Sequence, residues 1–155
     1  MSTPRWFSEE GIVDDQTNAR PSSSSRLKVL VVDDKADSAE MLTLLLRLDG
    51  HDARAAFSGP ETIKTVEDFA PDVVFLDLGL PVMDGYQVAQ RLKEMPALEH
   101  TMLVALTGYG FNEDKERTRR AGFDHHIVKP ADIDELQNLL LRVAERKATN
   151  RGFLV

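Results

Sequence analysis

From residue 26 onward, apolar runs of strand length alternate with stretches whose apolar positions recur at helical spacing. The first run, residues 27–32, leads into residues 36–48, where Ala39, Leu42, Leu45 and Leu46 follow the helical period and Gly50 is placed to stop the helix. A weaker strand over 52–57 precedes Ser58 and Glu61, which stand three residues apart as in a capping box and open a helix to residue 69. Pro71 introduces a strand over 72–76, residues 81–85 turn into a helix carrying Val88, Ala89 and Leu92, and residues 102–106 form a fourth strand. Asn112 is placed to cap a polar helix that ends near Ala121 and Gly122; residues 123–128 give a fifth strand, and Ile133, Leu136, Leu139, Leu140 and Val143 stripe the last helix. Alternation of this kind predicts a parallel sheet with helices on both faces, and the unalternating apolar runs at 29–32 and 73–76 suit strands covered on both sides.

Four of these strands end in a reactive polar residue: Asp33 and Asp34 after the first, Asp77 after the third, Thr107 after the fourth and Lys129 after the fifth. In an open parallel sheet they converge on one crevice at the carboxyl edge, where such folds place their ligands. Each residue alone has an ordinary use. An acidic pair caps a helix, an Asp before Gly79 and Pro81 opens a turn, and a Thr or Lys belongs on a surface. Together, three carboxylates suit Mg²⁺, which takes hard oxygen ligands and keeps several waters. Asp77, poorly solvated on its strand side, becomes a candidate nucleophile for phosphate. Thr107 offers a hydroxyl to a phosphoryl oxygen, and Pro130 holds Lys129 extended and aimed out of the strand end.

The remaining signals bound the picture. Residues 1–25, with Glu9–Glu10, Asp14–Asp15 and the serines 22–25, bury too little apolar surface to order themselves and read as a flexible tail or linker in which Trp6 and Phe7 stand out. Residues 26–147 then form the domain, and 148–155 a short C-terminal tail. A formal net charge of -7 argues against a broad nucleic-acid surface, the absence of cysteine fits a reducing cytoplasm, and no stretch approaches a membrane span. His125 and His126 are adjacent on a strand and face opposite ways, so a shared metal is not expected; Arg117, Arg119 and Arg120 read as a solvated helix face.

The motifs Val-Val-Asp33-Asp34, Asp77-Leu-Gly79-Leu-Pro81-Val-Met-Asp84-Gly85, Ala-Leu-Thr107-Gly and Lys129-Pro130, at these intervals, resemble the receiver domain of bacterial two-component response regulators. The wording of the Asp77 and Thr107 motifs is most similar to receivers of hybrid histidine kinases and of stand-alone regulators. The resemblance implies a flavodoxin-like doubly wound (βα)5 α/β fold with parallel strand order 2-1-3-4-5. It makes Asp77 the phosphoacceptor, Asp34 and Asp77 direct Mg²⁺ ligands, Asp33 a ligand through water and the Gly79 carbonyl a further ligand. Thr107 would be the switch hydroxyl and Lys129 the phosphate-pairing ammonium. His126 stands where a switch Tyr or Phe is usual, and Gly79 leaves space beside the phosphoryl group.

The implied function is a cytoplasmic phosphoacceptor switch rather than an enzyme with substrates of its own. It would be loaded by a histidine kinase or histidine phosphotransfer protein and would act through partner binding or onward transfer. The face from the fourth helix to the fifth would meet a downstream protein, with no nucleic acid or membrane involved. A receiver fragment of a hybrid histidine kinase is an alternative. An aspartyl-phosphate phosphohydrolase is disfavoured, because the second acid expected two residues after the nucleophile is Gly79.

Overall fold

The computed structural model describes residues 26–108 and 115–154; the expected tail with Trp6 and Phe7, and the expected cap Asn112, lie outside them. Five strands, β1 (Lys28–Val32), β2 (Asp52–Ala56), β3 (Val73–Asp77), β4 (Met102–Thr107) and β5 (His125–Val128), alternate with helices α1 (Ala36–Leu48), α2 (Gly59–Phe69), α3 (Gly85–Lys93), α4 (Lys115–Arg120) and α5 (Ile133–Leu154). All neighbouring strands are parallel, in the order β2-β1-β3-β4-β5. The parallel sheet with helices on both faces is what the hydrophobic pattern predicts, and the strand order is the one that the resemblance implies.

The unalternating strands divide their side chains between two cores. Leu30, Val32, Val74, Leu76, Leu103 and Ala105 pack with Val66 and Phe69 of α2 and Val88, Ala89 and Leu92 of α3. The intervening residues Val29, Val31, Val73, Phe75, Val104 and Leu106 pack on the other face with Ala39 and Leu46 of α1 and Leu136, Leu139 and Leu140 of α5. A residue such as Phe75 is fully buried because helices cover both sides of its strand.

Local chemistry sets the boundaries. Ser58 caps α2 by accepting from the Glu61 N–H at 3.2 Å, but the Glu61 carboxylate reaches back to the Phe57 N–H at 2.8 Å, one residue earlier than a reciprocal box would place it. Asp84 and Gln87 make the full reciprocal box at the start of α3. Gly50 leaves α1 at φ 97°, a conformation that glycine adopts without a Cβ penalty.

Two ends differ from the sequence pattern. β5 begins at His125 rather than at residue 123: Asp124 donates its backbone N–H to the Leu103 carbonyl at 2.7 Å, but its side-chain carboxylate, in place of a strand carbonyl, accepts the Leu103 N–H at 2.9 Å. α5 outruns the stripe that ends at Val143 and takes in most of residues 148–155: Glu145, Arg146, Lys147 and Ala148 are good helix formers, and Lys147 is tied to Asp72 at 3.2 Å. No described helix is long and apolar enough to cross a membrane.

Candidate functional site

Strand register brings the polar ends together. Val32 pairs with Leu76, so Asp33 and Asp77 leave the sheet at the same level, while Asp77 pairs with Leu106 immediately before Thr107, and Thr107 pairs with Val128 immediately before Lys129. Thr107 is the last residue of β4 rather than the first of a loop, and its carbonyl accepts the Lys129 N–H at 2.7 Å. That bond fixes the base of the lysine side chain against the neighbouring strand.

Carboxylate oxygens of Asp33, Asp34 and Asp77 lie within 4.8 Å of one another, a spacing that can hold one cation, and they are such a group among the described residues. Asp33 is 2% exposed, whereas Asp34 faces solvent. The Lys129 ammonium crosses β4 to donate to Asp33 Oδ2 at 3.0 Å and to Asp77 Oδ2 at 3.3 Å. Asp77 Oδ1 accepts the Gly79 N–H at 2.9 Å, and Asp33 Oδ1 accepts the Lys35 N–H at 3.0 Å. Both buried carboxylates are therefore anchored through one oxygen to the backbone and through the other to Lys129.

Burial pushes the Asp77 carboxyl above its ordinary range; the Gly79 N–H and the Lys129 charge pull it down without cancelling the effect, and the nearby Asp33 charge adds to the rise. For Lys129, burial acts downward, but the bond to Asp33 and the charges of both carboxylates outweigh it and hold the ammonium above its usual value. Lys129 is thus a fixed cation. Replacing it with Met leaves Asp33 and Asp77 facing each other, and we expect a loss on the order of 2 kcal/mol, below the range for a fully buried pair because part of this side chain meets solvent. The loss should be largest at neutral pH and shrink as acid protonates the carboxylates. Urea unfolding at both pH values checks this, and a deficit that does not change with pH would contradict it.

His126, on β5, pairs with Ala105 of β4; it is exposed, and so is His125. Neither joins the acidic group. Gly79 does leave room: a Cβ built there would sit 3.6 Å from Asp77 Oδ1, an ordinary contact distance.

Arg117 is exposed, as expected of this helix face, and also reaches a neighbouring helix. Its guanidinium lies 3.9 Å from the centre of the Tyr86 ring and 3.9 Å from Asp84 Oδ2, while Tyr86 also meets Thr118 through its hydroxyl at 3.3 Å and Phe123 edge-on. Arg119 instead makes the local pair with Glu116 that solvated helices commonly use. The α3 start, which directly follows the Asp77 loop, is therefore tied to α4. No spacing rule joins residues thirty-one positions apart, so the sequence carries no signal for this contact.

The family model described as response regulator receiver domain matches residues 29–141. A 14.6 kDa protein of Leptolyngbya boryana is 32% identical over 116 residues, covering 75% of this chain and 88% of its own. The DNA-binding response regulator MtrA of Mycobacterium tuberculosis is 38% identical over 111 residues, which are 72% of this chain and 47% of MtrA, so this chain spans only about half the length of that relative. Among solved structures, the receiver domain of sensor histidine kinase PA1611 from Pseudomonas aeruginosa PAO1, with a magnesium ion coordinated in its active site cleft, superposes with a TM-score of 0.70 at 25% identity, over 77% of this chain and 98% of that one.

Proposed function

Since the chain belongs to the response regulator receiver family of two-component signalling, we propose that it accepts a phosphoryl group on Asp77 from a phosphohistidine of a histidine kinase or histidine phosphotransfer protein. One observation carries the reading: a desolvated carboxylate at a strand end, with two further carboxylates and a fixed ammonium within reach.

An Asp77 carboxylate oxygen attacks phosphorus in line, the phosphorus–nitrogen bond of the donor imidazole breaks, and its electron pair returns to the leaving nitrogen. Three carboxylates face one ammonium, an excess of negative charge that would repel the incoming phosphoryl oxygens. The three carboxylates fit Mg²⁺: Asp34 and Asp77 would hold it directly, with Asp33 through water and the Gly79 carbonyl, as the resemblance implies, and the ion would supply the charge that lets anionic oxygens approach. Lys129 is already placed to follow the charge from carboxylate to phosphoryl oxygen, and Thr107 borders the same crevice.

Signalling follows from the same geometry. The phosphoryl oxygens draw in Thr107 and Lys129, and the exposed His126 turns inward, biasing an existing equilibrium of the α4–β5–α5 face toward a downstream partner. A cytoplasmic phosphorelay is the setting that this reading favours. Onward transfer and a place within a hybrid histidine kinase use the same Asp77 chemistry, and the likeness to the PA1611 receiver gives the second of these specific support. Phosphohydrolase chemistry lacks its second acid at Gly79.

Incubation with acetyl phosphate and Mg²⁺, followed by intact mass, should show one added phosphoryl group, acid-stable and base-labile. Asp34→Ala should slow this labelling markedly at limiting Mg²⁺; labelling at the wild-type rate would remove Asp34 from the ligand set. Beryllofluoride, standing in for the phosphoryl group, should move NMR amide signals from Thr107 to Lys129. Changes confined to the Asp77 loop would instead favour a relay without conformational output.

A further inference from the structure

Helix α1 covers the sheet with Ala39, Thr43 and Leu46, and an outer stripe of Met41, Leu44, Leu45 and Leu48 stays exposed. The stripe divides in two. Met41 and Leu45, with the half-buried Leu42, form one wall of a groove of about 480 Å³, to which Leu44 and Leu48 do not contribute. Pro130 and the first turns of α5, through Ile133 and Leu136, form the other wall. The floor is made by the sheet residues Val31 and Leu106, which are 1% and 2% exposed. A floor so nearly closed to solvent makes this a slot for a narrow ligand rather than a flat face for a helix. Its volume also falls in the range of small-molecule sites, about 300–1,000 Å³.

Polarity is graded along the slot. The lining residues of α1 and its cap, Lys35, Ser38, Met41, Leu42 and Leu45, recur at helical spacing and follow one face for roughly 15 Å, the reach of a medium-length alkyl chain. The polar members stand at the crevice end and the apolar ones beyond it. Asp33 also borders the crevice end, but its two oxygens are already taken, one by the Lys35 N–H and the other by the Lys129 ammonium. The groups left over are donors. The Lys35 side chain is exposed and pairs with no carboxylate among the described residues, and the Ser38 hydroxyl has no hydrogen-bond partner among them. Asp34 and Asp37 do not line the slot. An anionic head group satisfies such an end, whereas an ammonium head does not.

We propose that this slot binds a single-chain amphipathic anion of the alkyl carboxylate class. The chain lies between Met41 and Leu45 on one side and Ile133 and Leu136 on the other, and the carboxylate meets Lys35 and Ser38. Binding needs no phosphoryl group, although Asp33 and Lys129 border both this slot and the Asp77 site.

Dodecanoate, kept below its micelle-forming concentration, is the probe, titrated into the full chain and followed by amide NMR. Saturable shifts are expected at Ser38, Leu45, Ile133 and Leu136. Lys35→Gln should weaken binding about fivefold, the upper range for one exposed ion pair. This substitution alters an exposed side chain only, so the fold should hold. Leu45→Gln should weaken binding by a similar factor, while Leu44→Gln, outside the slot, should bind as the wild type does. Dodecyltrimethylammonium, with the same chain and a cationic head, should bind far more weakly. Absent or unsaturating dodecanoate shifts would overturn the proposal. So would equal affinity for the two head groups, or unchanged affinity in Lys35→Gln, which would leave only unspecific apolar binding. An equal loss in Leu44→Gln and Leu45→Gln would also overturn it, by placing the chain on the outer stripe instead of in the slot.

Discussion

Asp77→Asn should remove phosphorylation by acetyl phosphate altogether while making the protein more stable. The amide keeps an oxygen to accept the Gly79 N–H but is no longer a carboxylate nucleophile, so intact mass should show no added group. The stability gain follows from linkage. A carboxyl whose folded pKa is raised favours the folded state fully below its unfolded pKa, and that favour is lost as pH rises through the folded value. At neutral pH the wild type therefore carries a desolvated charge that the variant lacks. The gain is on the order of 1 kcal/mol, because Lys129 offsets part of the penalty and keeps Asp33 as a partner in the variant. It should fade as pH falls through the carboxylate range. Undiminished labelling would remove Asp77 as phosphoacceptor. A less stable variant would mean that the Lys129 bond outweighs burial.

The same balance explains why the core of the site is legible in the sequence. Asp33, Asp77 and Lys129 each end an apolar run, and a parallel sheet sends all such ends to one edge, so periodicity puts them on that edge and the strand order that the resemblance implies makes them neighbours. The Ser58 cap is legible for a similar reason, because it acts on a residue three positions away. What depends on packing between distant segments is not. The Arg117–Tyr86 stack needs α4 laid against α3, and the start of β5 needs Asp124 beside Leu103. The outer stripe of α1 shows the opposite limit. Leu45 joins the apolar period of the helix, yet the fold leaves it 40% exposed, because pattern identifies apolar faces without saying which one the sheet will take.

Gly85→Ala should be far more damaging than its place at the first turn of a helix suggests. Alanine is the better helix former by about 1 kcal/mol, and sequence alone marks Gly85 only as the end of a turn. In the structure a Cβ at Gly85 would lie 2.6 Å from the Asp77 carbonyl oxygen and 2.7 Å from Leu78 Cα. Both are backbone atoms, so no side chain can swing away. Either α3 moves off β3, breaking the Gly85 N–H bond to the Leu78 carbonyl, or the Asp77–Leu78 segment shifts and carries the nucleophile with it. We expect a net loss of about 2 kcal/mol, the overpacking cost less the gain in helix propensity, and slower labelling by acetyl phosphate in whatever remains folded. Gly79→Ala and Gly108→Ala are the controls. The first would add a Cβ at ordinary contact distance from Asp77, and the second would meet nothing within 4 Å, so neither should lower Tm comparably. Equal losses at all three positions would trace the effect to the flexibility of glycine; a loss confined to Gly85 would trace it to the close approach of α3 to the strand end that carries Asp77.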